Sequence, residues 1–203
     1  MREKIIDIAG DMFLKLGFKS VTMDDIAKTM GISKKTIYKY FDNKDHLVDD
    51  TVCFVQKEID TIIENIMQQN HNAIEENFAI KKVFKDMFKN AKTSPMYQLK
   101  KYYPETFSKL VSNEICTFTD CVTANLNKGI VEKLYRPEID VTMVMKFYFT
   151  LVFGAYESEL FDHTSSEAIK TEVKILEYHT RAIATLYGLS ILEEELKKYH
   201  LNN

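Results

Sequence analysis

One short segment, residues 22–44, constrains the fold of this chain more than any other part of its sequence. It reads TMDDIAKTMGISKKTIYKYFDNK, with apolar residues at helical spacing on both sides of Gly31. Thr22 followed three residues later by Asp25 is typical of a capping box, and Ser33 is a suitable N-cap for the next helix. The segment therefore predicts two short helices joined by a tight glycine turn, which is a helix-turn-helix unit.

The rest of the 203-residue chain has the same helical periodicity, with only six glycines and three prolines and no strand-like alternation. We predict an all-α protein with an N-terminal three-helix helix-turn-helix domain, residues 1–47, and a C-terminal helical domain, residues 48–203. A long fourth helix, from about residue 43 to 69, joins the two. Later helices are expected over about residues 73–92, 104–128, 137–160 and 167–187, with short ones from residue 95 and over 191–199.

The charge of the chain is unevenly distributed. The net charge is -3 at pH 7, but residues 31–44 contain four lysines and one aspartate, a local net charge of +3. A basic patch on an acidic body indicates a polyanionic partner docked at one place, although an ordinary solvated helix face would look the same.

Two of these lysines, Lys34 and Lys35, stand at the start of the second predicted helix. Cations at a helix N-terminus oppose the helix dipole and cost about 0.3–1 kcal/mol each. A sequence that breaks a local rule often does so at a functional site, and a phosphate group at this helix end would reverse the sign of that cost.

The two faces of this helix differ in chemistry. Ile37 and Phe41 share the face that must meet the core, and the opposite face carries residues that bind phosphate or read base edges: Lys35, Thr36, Tyr38 and Lys39. Lys44 follows the helix, where a flanking phosphate would lie. Packing against the core is the alternative interpretation of Tyr38 and, more strongly, of Tyr40.

The stretch MDDIAKTMGISKKTIYKYFDNKDHL, preceded by GFKSVT, resembles the N-terminal domain of the tetracycline-repressor (TetR) family over about residues 4–48. The resemblance implies a DNA-binding transcriptional regulator, most simply a repressor, whose partner is double-stranded operator DNA. It places these residues at DNA-contact positions of the family: Thr22, Ser33, Lys34, Lys35, Thr36, Tyr38, Tyr40 and Lys44.

The same resemblance implies that the C-terminal domain binds a small-molecule effector and forms a homodimer. The last two long helices, expected at 137–160 and 167–187, would pair with those of a second subunit. A two-fold dimer suits this function, because paired helix-turn-helix units read two half-sites one helical turn or a multiple apart.

Aromatic residues are concentrated in the middle of this domain, since 14 of the 24 Phe and Tyr residues lie between Phe84 and Phe161. Such a set can line a pocket for a largely apolar ligand, or it can form the core and the dimer interface. The candidate pocket residues are Phe88, Tyr102, Tyr103, Phe107, Phe118, Cys121, Phe149 and Phe153.

No pattern indicates an enzyme. The five histidines are scattered, and no nucleophile motif or glycine-rich phosphate loop is present, so we assign no catalytic residue, no metal and no cofactor. Three widely spaced cysteines with apolar flanks predict buried free thiols and a cytoplasmic protein, and no apolar run is long enough to span a membrane. Two alternatives stay open: a helical carrier or enzyme with an inherited helix-turn-helix, and a regulator controlled by a protein partner.

Overall fold

The computed structural model describes residues 1–201, except for the side chains of Glu114 and His200, and confirms the predicted all-α fold. Two isolated β-bridges, Thr93 to Thr164 and Tyr135 to Ala184, are the only strand-like pairings within those residues. No helix in this part of the chain is both long and apolar enough to cross a bilayer. The helices are α1 Arg2–Leu16, α2 Met23–Met30, α3 Lys34–Tyr38, α4 Lys44–Met67, α5 Ala73–Phe88, α6 Pro95–Tyr102, α7 Pro104–Val131, α8 Val141–Glu157, α9 Ser165–Ile183 and α10 Leu186–Leu201.

The turn between α2 and α3 has the predicted local chemistry. The Thr22 side chain accepts the N–H of Asp25 at 3.2 Å, and the Asp25 carboxylate accepts the N–H of Thr22 at 2.9 Å, which completes the capping box. Gly31 adopts the left-handed conformation with φ 65° and ψ 29°. Ser33 then caps α3 by accepting the N–H of Thr36 at 3.1 Å. These local bonds end α2 at the turn and start α3 directly after it.

The first three helices pack around a small apolar core that α4, α6 and α7 complete. Fully buried side chains from α1 to α4 meet there, and residues from α6 and α7 join them: Phe13, Ile26, Ile37, Phe41 and Leu47, then Leu99, Phe107 and Leu110. A second apolar cluster lies in the body formed by α5 and α7 to α10. The boundary that we expected at residues 47 and 48 falls inside α4 and stays a prediction.

Helix α4 leads from the N-terminal core into the body, where it packs against α5 and α7. It has 24 residues, which gives a length of about 36 Å. Asp50 on α4 pairs with Arg2 of α1 at 2.5 Å, and Asp49 pairs with Lys109 of α7 at 2.6 Å. The start of α4 is thus held from both sides by neighbouring helices.

Five helix boundaries in the body differ clearly from the sequence-based expectation, because distant contacts decide them. Helix α7 continues past Gly129 to Val131. Lys133, two residues after the helix, adopts a positive φ of 61°. A Cβ on Gly129 would lie 2.2 Å from the ring of Tyr135, so this glycine gives room to a buried aromatic ring instead of ending the helix.

Helix α8 starts at Val141, not near Pro137, because Asp140 caps it by accepting the N–H of Met143 at 3.0 Å. Helix α9 ends at Ile183, and α10 begins at Leu186, earlier than the expected residue 191. The Thr185 hydroxyl stabilises this break by accepting the N–H of Gly188 at 3.0 Å.

Helix α5 ends at Phe88, not near residue 92. The following segment pairs with the segment before α9 instead, since Ser94 donates its N–H to the carbonyl of His163 at 2.9 Å. The expectation of buried thiols is wrong for two of the three cysteines: Cys53 and Cys116 are exposed, and only Cys121 is partly buried. Apolar neighbours in the sequence do not place a residue on the inner face of a helix.

Candidate nucleic-acid interface and internal cavity

The outward face of α3 presents two unpaired lysines. Lys35 and Lys39 are exposed, and neither makes a hydrogen bond or an ion pair with any residue in the described part of the chain. Tyr38 and Tyr40 flank them, 43% and 40% exposed. The sequence left packing open for both tyrosines, but in this subunit both rings reach solvent. Amphipathic rings and free ammonium groups on one exposed face can bind phosphates and base edges.

Lys34 has a different environment from its neighbour Lys35. Its ammonium lies 2.6 Å from the carboxylate of Asp24, at the start of α2, and this hydrogen bond raises the pKa of Lys34. The hydroxyls of Ser33 and Thr36 lie 2.9 Å apart at the start of α3. The cation is therefore partly compensated within the protein, and the helix start offers hydroxyl groups in a fixed arrangement.

Lys44 faces back towards the loop after α1. Its ammonium donates to the carbonyl of Phe18 at 2.6 Å and to that of Lys19 at 3.3 Å. Burial lowers the pKa of Lys44. An ammonium group has three donors, so one N–H is left beyond these two bonds for the phosphate contact predicted from the sequence.

The body contains an internal cavity of about 200 Å³ that extends from α1 and α4 to α8 and α9. Four of the predicted pocket residues line it: Phe88, Phe118, Cys121 and Phe153. Its wall also includes Gly10 and Phe13, so the cavity touches a helix of the N-terminal unit directly.

The structure places the other four predicted pocket residues away from this cavity. Phe107 is buried in the N-terminal core, and Tyr103 packs on Phe18 at the same junction. Tyr102 is 37% exposed, with the ammonium of Lys19 over its ring. Phe149 does not line the cavity, but its ring stacks on that of Phe153 with the centroids 4.4 Å apart. Periodicity identified apolar faces here, but not which apolar face borders the empty space.

A polar cluster on the cavity wall was missed in the sequence. Lys81 and Glu172 form an ion pair at 3.1 Å, with side chains only 10% and 14% exposed. The Tyr156 hydroxyl donates to the same carboxylate, and the Tyr148 hydroxyl lies beside Lys81. Ile74, Phe78 and Lys81 follow helical spacing. A lysine in an apolar stripe was thus the one sequence signal for this cluster. It could not identify the partner, because Glu172 is 91 residues away in the sequence.

The Lys81 ammonium stays protonated despite its burial. Burial alone would lower the pKa of Lys81, but the Glu172 carboxylate outweighs it and raises that pKa above its ordinary value. Burial, and then the same carboxylate, hold the pKa of Tyr156 well above its ordinary value. The cluster is therefore a compensated pair of opposite charges with two neutral phenols. Within the described residues, no group of three or more His, Cys, Asp or Glu side chains could hold a metal ion.

Comparisons with known proteins agree with this architecture. Residues 5–51 match the family described as bacterial regulatory proteins, tetR family. The chain is 28% identical over 175 residues to the biofilm operon icaADBC HTH-type negative transcriptional regulator IcaR of Staphylococcus aureus (strain Newman), covering 77% of this chain and 89% of that protein.

Two solved structures share the fold. A TetR-family transcriptional regulator from Agrobacterium tumefaciens superposes with a TM-score of 0.68 at 19% identity, covering 91% of this chain and 97% of the other. A gamma-butyrolactone receptor (ArpA-like protein) gives a TM-score of 0.64 at 15% identity, covering 100% and 97%.

A capped helix-turn-helix unit on an all-helical body with an internal cavity defines a DNA-binding transcriptional regulator. Residues 5–51 of the chain form a helix-turn-helix domain of the TetR family of these regulators.

Proposed function

We propose that this protein is a homodimeric repressor, and not an enzyme, which acts in the cytoplasm on double-stranded operator DNA. Helix α3 of each subunit enters the major groove of one half-site, and a small molecule in the internal cavity releases the DNA. The observation that carries the proposal is the pair of exposed ammonium groups of Lys35 and Lys39 on the outward face of α3, neither of which has a partner among the described residues. Repression is the activity named for the similar Staphylococcus aureus protein.

The DNA contacts follow from position on the helix-turn-helix unit. Tyr38, Lys35 and Lys39 lie on the face of α3 that points away from Ile37 and the core. The hydroxyls of Thr22, Ser33 and Thr36 stand at the two helix starts, where N–H groups and side chains together bind phosphate. Lys34, Tyr40 and Lys44 complete the proposed set at its edges.

An apolar stripe on the body supports the homodimer. Met143, Phe147 and Leu151 follow one another at a spacing of four residues on α8, and they are 41%, 59% and 37% exposed. Tyr178 on the neighbouring α9 is 68% exposed. An exposed apolar face on two adjacent helices fits a four-helix bundle with the same helices of a second subunit, since a two-fold interface uses one surface twice.

The cavity is placed to influence the DNA-binding unit. Its wall includes Gly10 and Phe13 of α1 and Thr51 and Val52 of α4, two helices that also pack in the N-terminal core. A ligand between them and the body would change the angle of α4 and so the separation of the two α3 helices. A coupling free energy of about 1–3 kcal/mol between the two sites is enough for useful release.

The proposal is tested with the DNA upstream of the protein's own gene, a frequent target of such regulators. We expect the full-length protein to give a footprint there and to lower expression of a reporter under that sequence. The Lys35→Ala, Lys39→Ala double variant should lose the footprint and the repression of the reporter. Lys57→Ala, which removes an exposed lysine of α4, should retain the footprint and the repression. A double variant that still protects the same bases would refute the assignment of α3 as the reading helix.

A further inference from the structure

The wall of the cavity carries one carboxylate that has no cationic partner. Asp60 lies on α4, lines the cavity and is partly buried. One of its carboxylate oxygens, Oδ1, accepts a hydrogen bond from the neutral side-chain amide of Gln56 at 2.9 Å. Its second oxygen, Oδ2, makes no hydrogen bond or ion pair with any residue that the structure describes. The negative charge of Asp60 therefore has no counter-charge within this part of the chain.

The basic side chain of the wall is engaged by a different carboxylate. Among the described residues that line the cavity, Lys81 is the single lysine or arginine, and its ammonium pairs with Glu172 at 3.1 Å. Asp60 and Glu172 are the acidic residues of the same wall. The wall thus has one more acidic side chain than basic ones, and the excess acid is Asp60.

This excess carboxylate selects among ligands by their charge. A ligand that fills the cavity displaces water from Asp60, and this costs free energy unless an opposite charge or a hydrogen-bond donor replaces the water. A neutral ligand leaves most of that cost uncompensated, and an anion adds repulsion. An ammonium group would donate to Oδ2 and form an ion pair where the effective dielectric constant is lower than in water. The side-chain oxygen of Gln56, which also has no bond to a described residue, offers a second acceptor on the same face of α4.

The volume and the aromatic walls limit the rest of the ligand. An apolar protein cavity of about 150 Å³ holds one benzene molecule, so the 200 Å³ found here admits one or two fused rings. Phe84 and Phe88 line the space from α5, which packs against α4, and Phe118 and Phe153 line it from α7 and α8. Aromatic side chains stack on flat rings or meet them edge to face, and their ring faces attract cations. The walls therefore favour an aromatic ligand that carries a positive charge.

We propose that the effector is an aromatic amine in its cationic form, with one or two rings among the phenylalanines and an ammonium group that donates to Asp60. This inference rests on the proposed function, because it takes the cavity as the effector site. It assigns Asp60 as the residue that determines the charge of the ligand. The ion pair forms on α4, the helix that leads into the DNA-binding unit.

The test compares three probes with one ring system: 2-naphthylmethylammonium, the neutral 2-naphthylmethanol and the anionic 2-naphthoate. The chain has no tryptophan, so naphthyl fluorescence can be followed against tyrosine alone during titration of the full-length protein at pH 7. We expect the ammonium probe to bind about ten-fold more tightly than the alcohol, which corresponds to one hydrogen bond between charged groups. The naphthoate should bind more weakly than the alcohol.

Asp60→Asn separates the charge from the shape of the cavity, because asparagine keeps the size of the side chain and an oxygen that can accept the Gln56 N–H. In this variant the ammonium probe and the alcohol should bind about equally. Glu58→Gln is the matched control, because Glu58 is an exposed acidic residue of the same helix that does not line the cavity. It removes the same charge from the surface of the protein and should keep the ten-fold preference.

Four results would overturn the proposal: no preference of the wild type for the ammonium probe, an undiminished preference in Asp60→Asn, an equal loss of preference in Glu58→Gln, or no binding of any probe. These measurements need no DNA. A protein that prefers the ammonium probe as expected but never protects its upstream DNA would contradict the repressor function and leave the ligand assignment standing.

Discussion

The side-chain oxygen of Gln98 accepts the backbone N–H of Phe18 at 2.9 Å, a bond that joins α6 to the loop after α1. Gln98 is 9% exposed and also donates to the carbonyl of Thr93 at 3.3 Å. On the same short helix, Pro95, Met96 and Leu99 line the cavity. Helix α6 therefore contacts both the space for a ligand and the unit that carries α3.

Replacement of Gln98 by methionine should destabilise the N-terminal unit. The Phe18 N–H is buried, and without an acceptor it costs about 1–3 kcal/mol. We expect a lower melting temperature and a smaller free energy of unfolding in urea. Gln98→Glu keeps an acceptor oxygen, so its free energy of unfolding should fall less than that of Gln98→Met. If the two variants had equal stability, the bond to Phe18 would not contribute.

Lys44→Met should have two separable effects. Methionine retains an apolar side chain over the rings of Phe13 and Tyr103 but cannot donate to the carbonyls of Phe18 and Lys19. We therefore expect a loss of about 1 kcal/mol in stability, since the ammonium is only half buried. The remaining N–H is proposed to meet a phosphate in each half-site, so the salt dependence of operator binding by the dimer should also flatten by about two units of slope. A lower melting temperature with an unchanged salt dependence would show that Lys44 stabilises the loop after α1 but does not contact a phosphate.

Phe147→Glu should separate the subunits. A carboxylate at the centre of the α8 stripe would be buried without a partner in the dimer, at about 3–5 kcal/mol. The dimer dissociation constant, measured by analytical ultracentrifugation, should rise by about a hundredfold or more. Leu16→Glu is the matched control, because Leu16 is 58% exposed at the end of α1, outside the stripe. A dimer of undiminished affinity in Phe147→Glu would place the interface elsewhere.

The stability of the body should fall in acid because of His179. This side chain is 7% exposed and stacks on Tyr148 at 4.2 Å, and burial lowers its pKa from 6.5 to about 4. The folded state disfavours the protonated ring, so this contribution is complete above pH 6.5 and is lost as the pH falls towards 4.

We expect the wild type to lose about 2 kcal/mol more than His179→Phe between pH 7.5 and pH 5, measured by urea unfolding. Phenylalanine keeps the ring stacking and cannot titrate. Parallel pH profiles for the two proteins would show that His179 is not the titrating group.

The helix-turn-helix unit was predictable because its signals are local. Thr22 with Asp25, Gly31, and Ser33 with Thr36 each act over three or four residues, and the structure shows each of them in the expected conformation. The helix ends in the body were not predictable in this way. Gly129 and Gly188 directly follow the helix ends expected at residues 128 and 187. They lie instead inside α7 and α10, where Tyr135 and the carbonyl of Leu134 leave no room for a Cβ.

For the cavity, too, local sequence patterns predicted only part of what the structure shows. Helical spacing correctly indicated an aromatic body, and half of the predicted pocket residues, such as Phe118 and Phe153, do line the space. The ion pair of Lys81 and Glu172 on its wall could not be predicted from the sequence, because only the tertiary fold brings α5 and α9 together. The buried Thr51 hydroxyl has no hydrogen-bond partner among the described residues, and this too follows from the packing of the helices and not from a sequence pattern.

The salt dependence of operator binding tests the central claim most directly. If Lys35 and Lys39 of each subunit each neutralise one phosphate, the dimeric Lys35→Ala, Lys39→Ala variant loses four phosphate contacts. It should bind the footprinted DNA with a slope of log affinity against log salt lower by about three to four units. Its melting temperature should equal that of the wild type, since both side chains are exposed and make no bond to any other residue that the structure describes. An unchanged slope, at equal stability, would contradict the account of α3 as the helix that meets DNA.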